Sequence, residues 1–305
     1  MAAIIAEGAV LQTRTGYTHI EDYDNETPVL TENGFKPVKV EPIDYSGQCV
    51  QFILWGYPDW LYIASDSEGV GIEYKRCPDL GGLGLCRPFN RCFEQCPDNH
   101  PFKIQFKEAK ELTFRDIRKR SHVVVPTTCQ MTYSHRDKNK AIKKFYDSGF
   151  KFSRDYKENP EDIPCIDLEY ILYSDPNEFK SFMLGWQDGM AQTKLDMWNY
   201  FLILKNKKLA YQVQFLMNYF GVPCAMEPYH SNVFGKNNWA VVWCKNKKHF
   251  HYKSFIFEGN FRLQVKKWTP FTTDDEIVKD KKWFKVTPGE GNTSRYFAAP
   301  FYFKY

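Results

Sequence analysis

Residues 178–221 constrain the fold of this chain more than any other stretch, because they contain two amphipathic helices separated by a strand. The apolar residues of the first helix recur at the spacing of a single helical face, namely Phe179, Phe182, Met183, Trp186 and Met190. The second helix repeats that spacing at Leu209, Val213, Leu216, Met217 and Phe220. We predict that it begins after Asn206 and ends at a left-handed Gly221, with a strand at 197–204 between the helices. Taken alone, the pattern is that of an ordinary α+β core.

The sequence of this stretch resembles that of a known protein family. The sequence FMLGWQDGMA followed by LILKNKKLAYQVQFLMNYFGVP resembles the LAGLIDADG homing-endonuclease module. In that family an acidic residue at the end of the signature helix holds a divalent metal for DNA hydrolysis. Alignment of residues 183–191 with the signature places Met190 at this position, and a thioether cannot hold magnesium. A shift by two residues makes Asp188 the candidate catalytic acid and magnesium the candidate cofactor, whereas on the first alignment no cofactor is expected.

Two further features weaken the nuclease interpretation. The family places a complete β-hairpin between the two helices, but residues 190–207 are too few for two good strands with their turns. The sequence also contains no second signature helix. An active enzyme would therefore require a homodimer formed through the helix at 178–190.

The first part of the chain is rich in short strands. They are predicted at 10–13, 29–31, 37–40, 49–55 and 60–64, with a hairpin turn at Asn33-Gly34. The segments AVLQTRTGYTHIEDY and VLTENGFKPVKV resemble the opening block of an intein (Hint) domain. That block begins with a nucleophilic Cys or Ser, but the matching residues 3–6 are Ala, Ile, Ile and Ala. Without a nucleophile the N-to-S acyl shift cannot start.

The segment FEQCPDNHPFKIQFKEAKEL resembles the second intein block, in which a Thr and a His polarise the scissile amide. His100 stands at the His position, but Pro97 replaces the Thr, so we interpret His100 as a relic of splicing. WFKVTPGEGN resembles the late strand pair that completes the Hint sheet. The terminal His-Asn pair of a splicing junction is absent, so we expect no splicing.

Four cysteines lie close together in the sequence: Cys77, Cys86, Cys92 and Cys96. A thiolate cluster of this density can bind zinc, although only the last two form a short pair of the kind found in zinc ribbons. A disulfide and unliganded thiols are the alternatives. The other five cysteines are scattered singly, which is typical of reduced buried thiols.

Basic residues supply the candidate nucleic-acid contacts. They are Arg115, Arg118, Lys119, Arg120, Lys205, Lys207, Lys208, Lys245, Lys247 and Lys248. Lys-rich turns could follow a phosphate backbone, but they are equally typical of exposed turns and sheet edges. A net charge of +4 is compatible with nucleic acid without arguing for it. The basic run that begins at 114 also fits a solvated helix linking two modules.

No apolar run approaches the length of a membrane span, and the N-terminal segment lacks the basic start and long apolar stretch of a signal peptide. We therefore expect a protein of the cytoplasm, the host cytoplasm if it is phage-encoded, with no membrane partner.

Together these features predict an α+β chain in which a Hint-like all-β domain carries an inserted LAGLIDADG-like α/β module. The Hint-like domain covers 1–125, a basic linker 126–165, the inserted module 166–268, and the tail 269–305 returns to the Hint-like sheet. The leading hypothesis is an intein-derived protein, of the kind that phage genomes carry, which has lost splicing and cleavage and binds DNA or a protein. The alternatives are an active homodimeric magnesium-dependent endonuclease and a structural component of a larger phage assembly.

Overall fold

The structure is a computed structural model that describes residues 2–54, 56–57, 62–74, 103–111, 122–126, 135–160, 175–190, 199–222, 224–231, 235–244, 255–257, 260–299 and 301–305. These residues form two large antiparallel sheets, a smaller three-stranded sheet and three α-helices. The predicted α+β class is therefore confirmed.

The strands before the first helix are β1 (Ala3–Ala6), β2 (Val10–Thr13), β3 (Gly16–His19), β4 (Val29–Thr31), β5 (Gly34–Lys36), β6 (Val38–Ile43), β7 (Gln48–Leu54), β8 (Tyr62–Ser65), β9 (Gly69–Tyr74), β10 (Lys103–Glu108) and β11 (His122–Pro126). The central elements are α1 (Lys143–Glu158), α2 (Pro176–Met190), β12 (Asn199–Leu204), α3 (Lys207–Tyr219), β13 (Cys224–Ser231) and β14 (Gly235–Cys244). The last strands are β15 (Phe255–Phe257), β16 (Asn260–Thr272), β17 (Trp283–Pro288), β18 (Tyr296–Ala298) and β19 (Tyr302–Lys304).

The two large sheets form a β domain. The first has the order β11-β16-β7-β8-β1-β17-β6, with β15 paired to β16. The second has the order β10-β9-β19-β18-β4-β2-β3, with β5 paired to β4. Ile5 and Phe52 from the first sheet share one buried core with Val70 and Phe297 from the second.

The hairpin predicted from the sequence is present, but its two turn residues lie one position earlier than the predicted Asn33-Gly34. Thr31 lies opposite Gly34, so Glu32 and Asn33 form the connection. Gly34 has φ +83°, a left-handed conformation that glycine adopts without strain.

The C-terminal part of the chain returns to both large sheets. β16 pairs along β7, β17 lies between β1 and β6, and β18 and β19 enter the second sheet. The return begins at Asn260, ahead of the boundary at 268 predicted from the sequence. The β domain is therefore assembled from the two ends of the described chain, and the three helices and the small sheet lie between them in sequence.

The helix α3 begins and ends next to the residues predicted from the sequence, Asn206 and Gly221. The Asn206 side chain accepts a hydrogen bond from the Leu209 N–H at 3.0 Å, which caps the start. At the other end Gly221 has φ +81°, and the Val222 N–H donates to the Met217 carbonyl at 2.8 Å. The three-stranded sheet, in the order β12-β14-β13, shares a second apolar core with α2 and α3.

Among the described residues, no helix has both the length and the apolar character that crossing a bilayer requires.

A close helix crossing and exposed lysines as the candidate functional site

The helices α1 and α2 cross in direct backbone contact at two glycines. A Cβ atom added to Gly149 would lie 2.8 Å from the Phe182 carbonyl carbon and 3.0 Å from the Trp186 nitrogen. A Cβ atom on Gly185 would meet the backbone of Tyr146 and Phe150 at the same two distances. The reciprocal contacts mean that the two helices are related by a local two-fold axis at the crossing.

Small residues continue this contact one turn further along both helices. Gly189 of α2 faces Ser153 of α1, and a Cβ atom on Gly189 would lie 2.7 Å from the Ser153 Cβ. Each helix therefore carries a small residue, three intervening residues and another small residue. This spacing lets backbones approach, because both small residues lie on one helical face.

The two flanks of the crossing differ in chemistry. On one flank Phe152 of α1 contacts the rings of Phe182 and Trp186 of α2, with centroids 5.6 and 4.8 Å apart. On the other flank, the residues that the two-fold axis relates to Phe152 and Phe182 are Asp188 and Tyr146. Tyr146 donates a hydrogen bond to the Asp188 carboxylate, and Lys138 from the preceding 3-10 turn forms an ion pair with it.

The Asp188 carboxylate is thus part of a polar cluster on a helix flank. Its side chain is only 11% exposed. The hydrogen bond to Asp188 is the main cause that raises the pKa of Lys138 above its usual value, so the lysine stays charged. Burial, followed by the hydrogen bond to Asp188, raises the pKa of Tyr146, so the hydroxyl stays protonated and can donate.

This donor set does not fit magnesium. Mg²⁺ binds through carboxylates and water in a near-ideal octahedron, whereas Asp188 is already paired with a cation. The residue that the first alignment of the sequence places at the metal-binding position is Met190, at the end of α2, and its two-fold counterpart on α1 is Arg154. Within the described ranges, no three His, Cys, Asp or Glu side chains come together as a metal site.

The face of α1 that points away from α2 is exposed. On α2 the corresponding face is apolar, and Phe179, Met183 and Trp186 are buried in the core of the small sheet. On α1 the counterparts of these three residues are Lys143, Asp147 and Phe150. Lys143 and Asp147 pair with each other at 2.5 Å on the surface, and Phe150 is 40% exposed. Among the described residues, therefore, α2 has a sheet packed on its outer face and α1 does not.

Three predicted basic residues lie at the turn between β12 and α3. Lys205, Lys207 and Lys208 are all exposed. The Lys205 backbone N–H donates to the hydroxyl of Tyr156 near the end of α1, at 2.6 Å. The structure therefore places this turn beside the end of α1.

A further lysine of α1 contacts the end of α2. The Lys157 ammonium group donates to the Gly189 carbonyl at 2.7 Å, so it joins the two crossing helices.

The helix α3 is fixed against the β domain at its other end. The Gln214 side chain donates to the Gly56 carbonyl at 2.6 Å, and the Asn218 side chain donates to the Tyr57 hydroxyl at 3.0 Å. The Asn218 oxygen also accepts from the Cys224 N–H at 2.8 Å. All three contacts are buried, so α3 joins the β domain to the small sheet rigidly.

The other predicted site residues lie outside the described residues. They are His100, the basic residues Arg115, Arg118, Lys119, Arg120, Lys245, Lys247 and Lys248, and the cysteines Cys77, Cys86, Cys92 and Cys96. The predictions of a splicing relic and of zinc therefore remain untested.

The role of α1 is not predicted from the sequence. The interpretation of residues 126–165 as a basic linker allows for a helix there, but not for one that packs against α2. The available signal was the small-residue spacing of Gly149 and Ser153, which equals that of Gly185 and Gly189. Lys138 carried no signal, because its contact with Asp188 joins residues far apart in the chain.

No protein-family model and no curated protein matches the sequence.

Proposed function

We propose that this chain is an intein- and homing-endonuclease-derived protein that binds duplex DNA and neither splices nor cleaves it. The observation that carries the proposal is the helix crossing, in which small residues bring two helices together as LAGLIDADG signature helices do. Met190 ends α2 and its two-fold counterpart on α1 is Arg154, so neither of these two related positions holds an acid. The packing part of the module is retained while the metal-binding part is absent.

The state of Asp188 supports the loss of cleavage. A carboxylate that activates water through a divalent metal must offer its oxygens to that metal. Here Lys138 and Tyr146 both contact the Oδ2 atom of Asp188, so the single acid identified from the sequence serves to join α1, α2 and the preceding turn.

The crossing also bears on the homodimer hypothesis. The glycine face of α2, through which a second copy would have to pack, is covered by α1 of the same chain. A dimer through the helix at 178–190 would have to displace α1 and expose Gly149 and Gly185. In the described part of the chain, a sheet packs on the outer face of α2 but not of α1. This asymmetry fits a binding protein better than an enzyme with two equivalent halves.

Basic residues near the ends of the crossing helices support DNA as the partner. The exposed Lys205, Lys207 and Lys208 lie beside the end of α1. Among the described residues no carboxylate forms an ion pair with Lys205 or Lys208. Free cations on a rigid surface suit a polyanion.

Two assays test the proposal. Supercoiled plasmid incubated with the protein and magnesium should remain intact, for the wild type and for Asp188→Asn alike. A labelled duplex should be retarded in a gel at low salt and released as salt rises. Nicking that Asp188→Asn abolishes would establish the endonuclease instead. A duplex that is never retarded would refute DNA binding and favour the protein-partner alternative.

A further inference from the structure

We propose that β6 is a latent edge for pairing with a second copy of this chain, and that the loop at residues 23–27 holds this edge closed. The inference does not rest on the proposed DNA binding. It depends on side chains of the loop that occupy backbone groups of β6, and on the arrangement of charges along that strand.

The strand β6 lies at an edge of the first large sheet. In the described part of the chain it pairs on one side only, with β17, from Trp283 opposite Ile43 to Pro288 opposite Val38. The outward backbone groups of an edge strand can pair with another chain, which leads to association or aggregation. A protein that avoids such pairing therefore needs to cover the edge.

The side chain of Asn25 covers this edge at its middle. Its amide oxygen accepts a hydrogen bond from the Val40 N–H at 2.6 Å, and its amide nitrogen donates to the Val40 carbonyl at 3.2 Å. In an antiparallel ladder the N–H and C=O groups of one residue point to the same side. Both groups of Val40 therefore point away from β17, and the carboxamide takes the place that the backbone of a neighbouring strand would have.

The positions on either side of Val40 are also protected. Residues 38 and 42 share the outward orientation of residue 40, because the pattern repeats every second residue. The Tyr23 hydroxyl lies 3.5 Å from the Val38 carbonyl oxygen. Pro42 has no N–H group to offer to another strand. Each of the three outward residues therefore has at least one of its pairing groups covered or missing.

The backbone of the loop adopts an uncommon conformation to reach the edge. Asn25 has φ +62°, and among the described residues it is the one non-glycine residue with a positive φ. L-residues other than Asn and Asp rarely adopt this conformation. The Asp24 carboxylate accepts hydrogen bonds from the N–H groups of Glu26 and Thr27, both at 2.8 Å, which fixes the turn around Asn25. An uncommon conformation that is held so firmly points to a specific task, and here that task is to cover Val40.

The charges along β6 favour a second copy as the partner. Lys39 and Glu41 lie on either side of Val40, and their side chains are 61% and 46% exposed. When two β6 strands pair antiparallel with Val40 opposite Val40, Lys39 of each copy lies opposite Glu41 of the other. The two Val40 residues then exchange both of their hydrogen bonds, and the opposite charges across the pair stabilise it. The edge is therefore complementary to itself.

The substitution Asn25→Gly opens the edge selectively. Glycine accepts the positive φ but removes both hydrogen bonds to Val40. Loss of two such bonds should raise the population of the open loop, and with it the dimerisation constant, at least about 10-fold over the wild type. Size-exclusion chromatography with light scattering, over a series of protein concentrations, measures this constant. Asn33→Gly is the matched control and should dimerise like the wild type, since Asn33 is an exposed turn residue whose side chain donates to Ser294.

A second substitution tests the partner and the register. In the Asn25→Gly background, Lys39→Glu places like charges opposite each other in both symmetric pairs. It should weaken the dimer at least about 10-fold. Lys279→Glu makes the same change of charge at an exposed position between β16 and β17, and it should leave the dimer unchanged.

Hydrogen exchange of peptides that contain Val40, measured by mass spectrometry, separates opening of the loop from pairing. In Asn25→Gly these peptides should exchange faster than in the wild type at low protein concentration, and become protected as the dimer forms. Wild-type exchange rates in this variant would overturn the covering role of Asn25. Fast exchange in a variant that stays monomeric, or a dimer that Lys39→Glu does not weaken, would overturn pairing through β6. If Asn25→Gly does not fold, Asn25→Asp carries the same test, because its carboxylate cannot donate to the Val40 carbonyl.

Discussion

The close crossing of α1 and α2 makes the substitution Gly149→Ala the most informative single change in this protein. The added Cβ would overlap the Phe182 carbonyl group and approach the Trp186 nitrogen to 3.0 Å. Ordinary contacts between carbon atoms lie at about 3.5 to 4.0 Å. Both obstacles are backbone atoms of a helix, so rotation of a side chain cannot relieve the overlap. The helices must separate instead.

The size of the effect follows from two opposing terms. Overpacking of this kind destabilises by about 1–3 kcal/mol, and backbone overlap places this site at the upper end. Replacing glycine with alanine in a helix contributes about 1 kcal/mol in the opposite direction. We therefore expect a net loss of about 2 kcal/mol in the free energy of unfolding of the helix pair.

Hydrogen exchange measured by mass spectrometry tests this locally, because peptides from α1 and α2 should exchange faster while peptides from the β domain do not. Ser148→Ala is the matched control, since Ser148 is the exposed neighbour of Gly149 and alanine favours the helix. If Gly149→Ala protects α1 as well as Ser148→Ala does, the helices are not in backbone contact and the argument from the crossing fails.

Three further predictions concern the β domain and its junction with α3. Burial raises the pKa of Glu68 to about 7 from an ordinary 4.5, so its contribution to stability is complete below about pH 4.5 and is lost as the pH rises to 7. In urea denaturation, the free energy of unfolding of the wild type should fall by about 3 kcal/mol relative to that of Glu68→Gln between these pH values. Free energies of unfolding that change with pH in parallel for the two proteins would refute this prediction. Asn218→Ala leaves the Cys224 N–H and the Tyr57 hydroxyl without this buried partner, and should lower the free energy of unfolding by about 2–3 kcal/mol. A loss below about 0.5 kcal/mol would contradict a tight junction. Burial also raises the pKa of the Cys49 thiol to about 11, so a thiol reagent should fail to label it at pH 8 before unfolding, as read by peptide mass spectrometry.

The sequence by itself determined the local elements. The spacing of apolar residues, the Asn206 cap and the Gly221 stop predict the ends of α2 and α3 to within two residues. These signals act over one or two helical turns, so the local sequence is enough to read them. Five short strands of the first part, β2, β4, β6, β7 and β8, were predicted for the same reason, since alternation and turn residues are local.

Only the tertiary structure decided how these elements combine. The contacts of Gly149 with Phe182, of Lys138 with Asp188 and of Gly56 with Gln214 all join residues far apart in the chain. The small-residue spacing marks a face on each helix where a backbone can approach, but no local pattern encodes which residues meet there.

The same physical reason explains the change in the meaning of Asp188. In the sequence it is an acid beside a glycine at the end of a helix, which is the pattern of a metal ligand. In the folded chain Lys138 and Tyr146 reach it from a preceding turn and from the neighbouring helix, and it becomes a packing and pairing residue. Sequence fixes which groups are available, whereas the neighbours brought by the fold determine which of them remain accessible to a ligand.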